Sequence, residues 1–380
     1  MNAPDFLSQA NTNTNKHFPN VRKTVFTILV LMLLPVSSHA ARLERFEFSR
    51  PEMGAPFRIV LYAKSGELAE IASQKAFERV EALNQILSDY EVDSELSALS
   101  RSSGSGHPRM LSAELWHVLS RAQELARETD GAFDVTVGPL TSLWRKARRE
   151  HKLPPPEKVA ELRQSVGYQF LLLDPKRRSA LLKAPRMRLD LGAIAKGYAV
   201  DEALRVLRKH GIRRALVAAA GDIAVSDPPP GKAGWEIAVG QHDLLGPSSG
   251  DIVSIKNQAL STSGDLYQHI EIEGKRYSHI LDPKTGLGLT DHGLVTVVAK
   301  DCMTSDSWAT TISVMGPNSG ILAAEKHAGV ATSVITKPHE VVESTMTKRF
   351  RKLLRHHSSN SDKPPNEKAR VLPSKTRAVK

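Results

Sequence analysis

Residues 187–222, MRLDLGAIAKGYAVDEALRVLRKHGIRRALVAAAGD, constrain the fold more than any other stretch of the chain. MRLDLG (187–192) reads as a short strand. AIAKGYAVDEALRVLRKHG reads as a helix that Gly211 stops, and RALVAAAGD (214–222) as the returning strand. This is a strand–helix–strand unit with a glycine turn at each end. The same alternation runs through the rest of the body. FRIVLYA (57–63) predicts a strand. Residues 68–90 carry apolar side chains at helical spacing, at Leu68, Ile71, Ala72, Ala76, Val80, Leu83 and Leu87. Residues 112–131 predict a helix ended by Gly131. QHIEIEGKRYSHIL (268–281) predicts a hairpin turning at Glu273–Gly274. LVTVVA (294–299) predicts a strand and SDSWATTISVM (305–315) a helix. Strands and helices mix, which leaves α/β and α+β architectures open.

The core must hold this fold together, because the chain has 380 residues and one cysteine, Cys302. That excludes an internal disulfide framework and a cysteine-based metal site. The formal charge of +11 suggests nucleic acid until it is located. Residues 341–380 hold 11 lysines and arginines against three acids, and residues 1–40 hold three against one. Residues 41–340 are therefore close to neutral, and a nucleic-acid partner is not expected. At the N-terminus, Lys16, Arg22 and Lys23 precede the apolar run VFTILVLMLLPV and the small residues Ser38 and Ala40. That order predicts an export signal over 1–40, removed near Ala40, and a periplasmic protein. The run falls short of the roughly 20 residues of a spanning helix. The folded body is expected over 41–355. Residues 356–380 are basic and poor in apolar side chains, which predicts a disordered tail with weak attraction to a membrane surface.

Several stretches could carry chemistry, each with a plainer reading beside it. Lys196 falls in the first turn of its helix, where backbone N–H groups favour an anion. It could complete a phosphate site or be an ordinary solvated lysine. Asp222 ends AAAGD, where a ligand could collect, or it is a turn residue. STSGDLY (261–267), with Ser263 and Asp265, reads as a loop able to meet phosphate oxygens, or as a plain turn. Asp306 and Thr310 lie four apart on one helix face. They could hold a hard cation such as Mg²⁺, or could stabilise the helix. Tyr90 could stack on a planar ligand or fill the core. His279 shares a strand face with Tyr277 and Leu281 by alternation. Beside the Asp282–Gly286 turn it could act as a general base, or be a packed histidine.

YEVDSELSAL, TDGAFDVTVGPL, LDLGAIAKGYAVDEAL, ALVAAAGDI, STSGDLY, YSHILDPKTG and TSDSWATT occur together and in this order. That series resembles the ApbE family of flavin transferases, over roughly Met53 to Gly316. The resemblance implies an α+β fold of mixed sheets with packed helices. It implies an exported enzyme that uses Mg²⁺ and FAD as substrate. The FMN half goes to a threonine or serine of an acceptor protein, and AMP leaves. His279 would be the base that activates the acceptor hydroxyl. Asp306, Thr310 and the Ala193 carbonyl would hold the metal. Lys196, Asp222, Ser263 and Asp265 would contact FAD, and Tyr90 would stack on the flavin. FAD hydrolysis to FMN and AMP, and flavin binding without turnover, are the competing readings. Two positions depart from the pattern. Ala55 stands where the family carries a threonine. Ala220 replaces the first glycine of GGD, which is expected to crowd that turn by a methyl group.

Overall fold

The computed structural model describes residues 42–240, 251–264, 269–290, 293–337, 341–355 and 370–371. The predicted signal and most of the predicted tail lie outside them. The described residues from Leu43 onward form one compact unit. Its frame is a nine-stranded sheet. From edge to edge this runs Glu343–Met346, Ala331–Thr336, Gly293–Ala299, Gln258–Gly264, Asp222–Val225, Arg214–Ala219, Ala55–Ala63, Glu44–Glu52 and Arg370–Val371. Every neighbouring pair is antiparallel except the last, where Phe46 and Glu47 pair in parallel with Arg370 and Val371. Those two residues belong to the basic tail. Sheets and packed helices make the fold α+β.

Alternation along the strands builds two apolar layers. Ile59, Leu61, Ala259 and Val297 face a layer of helices, formed by Gly66–Leu87, Ala195–Lys209 and Cys302–Lys326. Val60, Leu260 and Val298 face the other way, against a small sheet that contributes Trp235, Ile237, Val253 and Ile255. The strands are covered on both sides, which explains their near-continuous apolar runs. A third apolar cluster is separate. The hairpin 269–278 packs Ile270, Ile272 and Tyr277 on Leu140, Trp144 and Val159 of the helices Gly138–Glu150 and Pro156–Arg163. Its turn is at Glu273–Gly274, as the sequence predicts, with φ of 52° and 70°.

Three local expectations fail. MRLDLG is not a strand. Its one ladder contact joins Arg188 to Val137. Its N–H groups donate instead to Ser103 Oγ from Met187, to Ser100 Oγ from Leu189 and to the Val135 carbonyl from Asp190. Hydroxyls and a loop carbonyl satisfy this backbone, so it needs no strand partner. The parallel strand–helix–strand unit therefore does not form. ALVAAAGD does not end at Asp222 either. Ala219 pairs with Asp222 across a two-residue turn, and the chain returns antiparallel. STSG is likewise not a loop: Gln258–Gly264 is an inner strand paired on both sides.

The helices Ala195–Lys209 and Cys302–Lys326 meet at Gly197. A Cβ there would lie 2.4 Å from the Cys302 carbonyl oxygen and 2.8 Å from Asp306 Cβ. Asp201 locks the same contact, accepting the N–H groups of Cys302 and Met303 at 2.8 and 2.9 Å. Gly197→Ala is expected to destabilise the protein by about 1–3 kcal/mol, the usual cost of overpacking. Denaturant melts check this, and wild-type stability would show that the two helices can separate.

Candidate active site

The centre of the site lies where the helices Ala195–Lys209 and Cys302–Lys326 meet the turn 220–221 and the strand Gln258–Gly264. Asp306, 4% exposed, accepts the Gly197 N–H at 3.0 Å. That N–H would otherwise bond to the Ala193 carbonyl four residues back. Among the described residues the carbonyl accepts no hydrogen bond, so its lone pairs are available. Thr310, one helical turn after Asp306, is half-buried, and its hydroxyl makes no hydrogen bond to a described residue. Lys196 Nζ donates to the Gly192 carbonyl at 2.7 Å and lies 3.9 Å from Asp222. Lys196, Asp222, Asp306 and the Ala193 carbonyl are thus brought together.

Burial dominates the electrostatics. It pushes the Asp306 carboxyl up to about 7, helped by the neighbouring Asp222 and opposed by Lys196 and the Gly197 N–H. Asp222, also 4% exposed, is raised by burial against the pull of Lys196 and the Ser261 hydroxyl. For Lys196 burial acts downward, but the carboxylates Asp306, Asp222 and Asp190 outweigh it and the ammonium is favoured. The centre concentrates negative charge around one cation.

Ser263 is half-buried and two residues beyond Ser261 on one strand face. Ser261 meets Ser305 of the Cys302–Lys326 helix at 2.8 Å, so Ser263 points to the same side. Asp265 lies outside the described residues. His279 is not on a face shared with Tyr277 and Leu281. The strand stops at Ser278, Tyr277 and Leu281 are buried, and His279 sits exposed on the bend. Alternation fails because the ladder ends one residue too soon. The bend is nevertheless held: the Ile280 N–H bonds Ser278 Oγ, the Gly286 N–H bonds the Asp282 carbonyl, and Trp144 Nε1 donates to the Gly286 carbonyl at 2.8 Å. Ser278 and Ile280, on either side of His279, line a cavity of about 420 Å³ together with Gly264 and the middle of the Cys302–Lys326 helix, Ile312–Pro317. That helix breaks at Gly316, whose φ is 75°, before Pro317.

Tyr90 is neither core nor helical. Its helix ends at Leu87, and the residue is 72% exposed, with the Arg145 guanidinium 4.1 Å from the ring centroid. No direct contact joins Tyr90 to Lys196 or Asp306 among the described residues.

The comparisons agree with this architecture. Residues 53–334, well over half of the chain, match the ApbE family. The chain belongs to the ApbE family. A FAD:protein FMN transferase of Haemophilus influenzae is 31% identical over 336 residues, covering 86% of this chain and 96% of that protein. One from Vibrio cholerae is 32% identical over 309 residues, covering 80% and 91%. Among solved structures, the flavin transferase ApbE from Vibrio cholerae superposes with a TM-score of 0.75 at 30% identity, covering 82% of this chain and all of that one. The flavinyl transferase ApbE of Pseudomonas stutzeri, in its apo form, superposes with a TM-score of 0.73 at 28% identity.

Not all the ApbE-like pieces bear on the centre. In TDGAFDVTVGPL the buried Asp134 accepts the Thr136 N–H and hydroxyl at 2.8 and 2.7 Å, and Thr136 in turn accepts the Gly167 N–H. That piece shapes a loop. Residues the sequence reading did not single out matter here as well: Ser261 and Ser305 are buried and hydrogen-bonded to each other, and the half-buried Asp201 joins the two helices, each set by contacts between elements rather than by a local pattern. The departure at Ala220 acts through the backbone rather than by crowding. Ala220 has φ of 52°, a left-handed conformation that costs an alanine about 1–2 kcal/mol. The close approach belongs to Gly221, where a Cβ would lie 2.5 Å from the Thr262 carbonyl oxygen. Ala220→Gly is expected to gain up to about 1 kcal/mol after the greater freedom of glycine in the unfolded chain is subtracted. A slightly higher melting temperature checks this, and a lower one would sink it.

Proposed function

We propose that this chain transfers the FMN part of FAD to a threonine or serine hydroxyl of an exported acceptor protein and releases AMP. The reading rests on family membership, on the relatives' names, and on one observation: a buried carboxylate pair with a lysine, beside a carbonyl that its own helix does not use. A pyrophosphate needs positive charge and hydrogen-bond donors, and Lys196 supplies both. Its ammonium is held by the Gly192 carbonyl and faced by Asp222.

Mg²⁺ suits the remaining donors. Asp306, Thr310 and the Ala193 carbonyl would hold it, and all are oxygen ligands of the kind a hard cation takes. Among the described residues no group of three or more His, Cys, Asp and Glu is placed to hold a metal alone. Substrate phosphate oxygens and water would complete the shell, as is usual for this ion. When bound, Mg²⁺ offsets the negative charge that develops on the pyrophosphate.

His279, in its neutral form, takes the proton of the acceptor hydroxyl as that oxygen bonds to the FMN phosphorus. The bond from this phosphorus to the bridging oxygen breaks, and AMP leaves with that oxygen. Exposure of His279 on its bend suits the role, because an acceptor side chain must reach it from outside. Water could take the same path, which makes FAD hydrolysis the second reading.

Incubation with FAD, Mg²⁺ and separate periplasmic and cytosolic extracts tests both readings. Transfer predicts a fluorescent flavin band on a denaturing gel, from the periplasmic extract, lost with EDTA. Free FMN and AMP without a labelled band would establish hydrolysis instead. Bound but unchanged FAD would leave a binding protein.

A further inference from the structure

We propose that Arg145 is a positioning residue for the flavin ring of FAD, acting through Tyr90. The inference rests on the reading above in one respect, that Tyr90 stacks on flavin. An exposed tyrosine on a loop is free to rotate unless something holds it, and a mobile ring makes a poor platform. Here the guanidinium lies 4.1 Å from the ring centroid and covers one face. The remaining face is open, since the residue is 72% exposed. The ring can therefore take a planar partner on one side only.

Arg145 is itself fixed from three directions. Nη1 donates to Asp89 Oδ2 at 2.5 Å and Nη2 to Asp190 Oδ2 at 3.0 Å. Asp89 is buried and Asp190 half-buried, with side chains 8% and 10% exposed. The adjacent Trp144 is buried in the cluster beneath the hairpin, which anchors the helix that carries Arg145. Asp89 is the residue before Tyr90, and Arg188 donates to its carbonyl at 2.6 Å. Asp190 also holds a second group. Its Oδ1 accepts the Gly192 N–H at 2.8 Å, at the start of the turn that presents Ala193 and Lys196. One guanidinium thus joins the tyrosine platform to the turn of the phosphate centre. Only arginine has the planar fork to bridge two carboxylates and lie flat on a ring. A lysine keeps the charge and loses both.

The test uses Arg145→Lys, Tyr90→Leu and the double variant. Affinity for FAD and for AMP, quenching of flavin emission on binding, and kcat and KM for flavin transfer are measured. Arg145→Lys is expected to weaken FAD about threefold to tenfold, the size of one aromatic contact. It should also relieve quenching and raise KM with little change in kcat. AMP, which lacks the flavin, should bind as in the wild type, whereas a collapsed site would lose both ligands. The double variant should bind FAD no worse than Tyr90→Leu. Additive losses, or normal FAD affinity and quenching in Arg145→Lys, would overturn the proposal. Normal FAD affinity in Tyr90→Leu would instead remove the stacking role itself, which separates the two failures. Should Arg145→Lys not fold, Asp89→Asn combined with Arg145→Gln removes a charge of each sign and is held to the same outcomes.

Discussion

A His279→Ala protein is expected to bind FAD as well as the wild type and to transfer flavin about 10²–10⁴-fold more slowly, the usual contribution of a general base. In the proposed reaction His279 acts on the acceptor hydroxyl and not on bound FAD, so the loss should fall on the rate. The structure sharpens the test, because His279 is exposed on a bend whose backbone is held by Ser278, Asp282 and Gly286. Removing an exposed imidazole leaves no core cavity, and stability should stay within about 0.5 kcal/mol. A packed histidine would have predicted the reverse, a lower melting temperature with a modest rate effect. Melting temperature, FAD affinity and flavinylation rate of one acceptor, measured together, decide it. Near-normal transfer by the folded variant would refute the assignment.

Loss of the Asp306 charge is expected to raise the Mg²⁺ concentration that activity requires more than any other single change. Asp306→Asn is the informative variant. It keeps an oxygen to accept the Gly197 N–H and nearly the same volume, and it removes the charge proposed to ligate Mg²⁺. Changes to mere supporting groups of metal sites cost about 10–100-fold in affinity, so loss of the charged ligand should cost at least about 100-fold. Asp306→Ala should do this and destabilise as well, because it leaves the buried Gly197 N–H without an acceptor. Thr310→Val should cost less, since a neutral oxygen is the weaker ligand for a hard cation. Activity titrated against Mg²⁺ reads all three. An unchanged requirement in Asp306→Asn would place the metal elsewhere.

The pattern of apolar residues determined more of the fold than of the site. The strand at 57–63, the helix predicted over 68–90 up to its end at Leu87, the helix at 305–315 and the hairpin, observed over 269–278, with its Glu273–Gly274 turn are local features. Each follows from periodicity or from a turn that needs positive φ, and neither depends on distant partners. The order of motifs likewise carried the family. Errors arose where a short segment's role is fixed by its neighbours. MRLDLG has the composition of a strand, but the hydroxyls of Ser100 and Ser103 satisfy its backbone. STSG has the composition of a loop, but it is an inner strand between Asp222–Val225 and Gly293–Ala299.

For the site, the sequence by itself determined which residues could do chemistry: one histidine beside a turn, a carboxylate and a hydroxyl one helical turn apart, a lysine in a first helical turn. Tertiary structure alone decided their condition. It buried Asp306 and Asp222 around Lys196, and it turned the Gly197 N–H away from Ala193 toward Asp306. It left His279 and Tyr90 at the surface, and set Arg145 between Asp89 and Asp190. The physical reason is range. Periodicity and turn chemistry act over a few residues, whereas burial and charge pairing join groups separated by tens to more than a hundred positions, such as Gly197 and Asp306, and exist only after the sheet and helices have closed on one another.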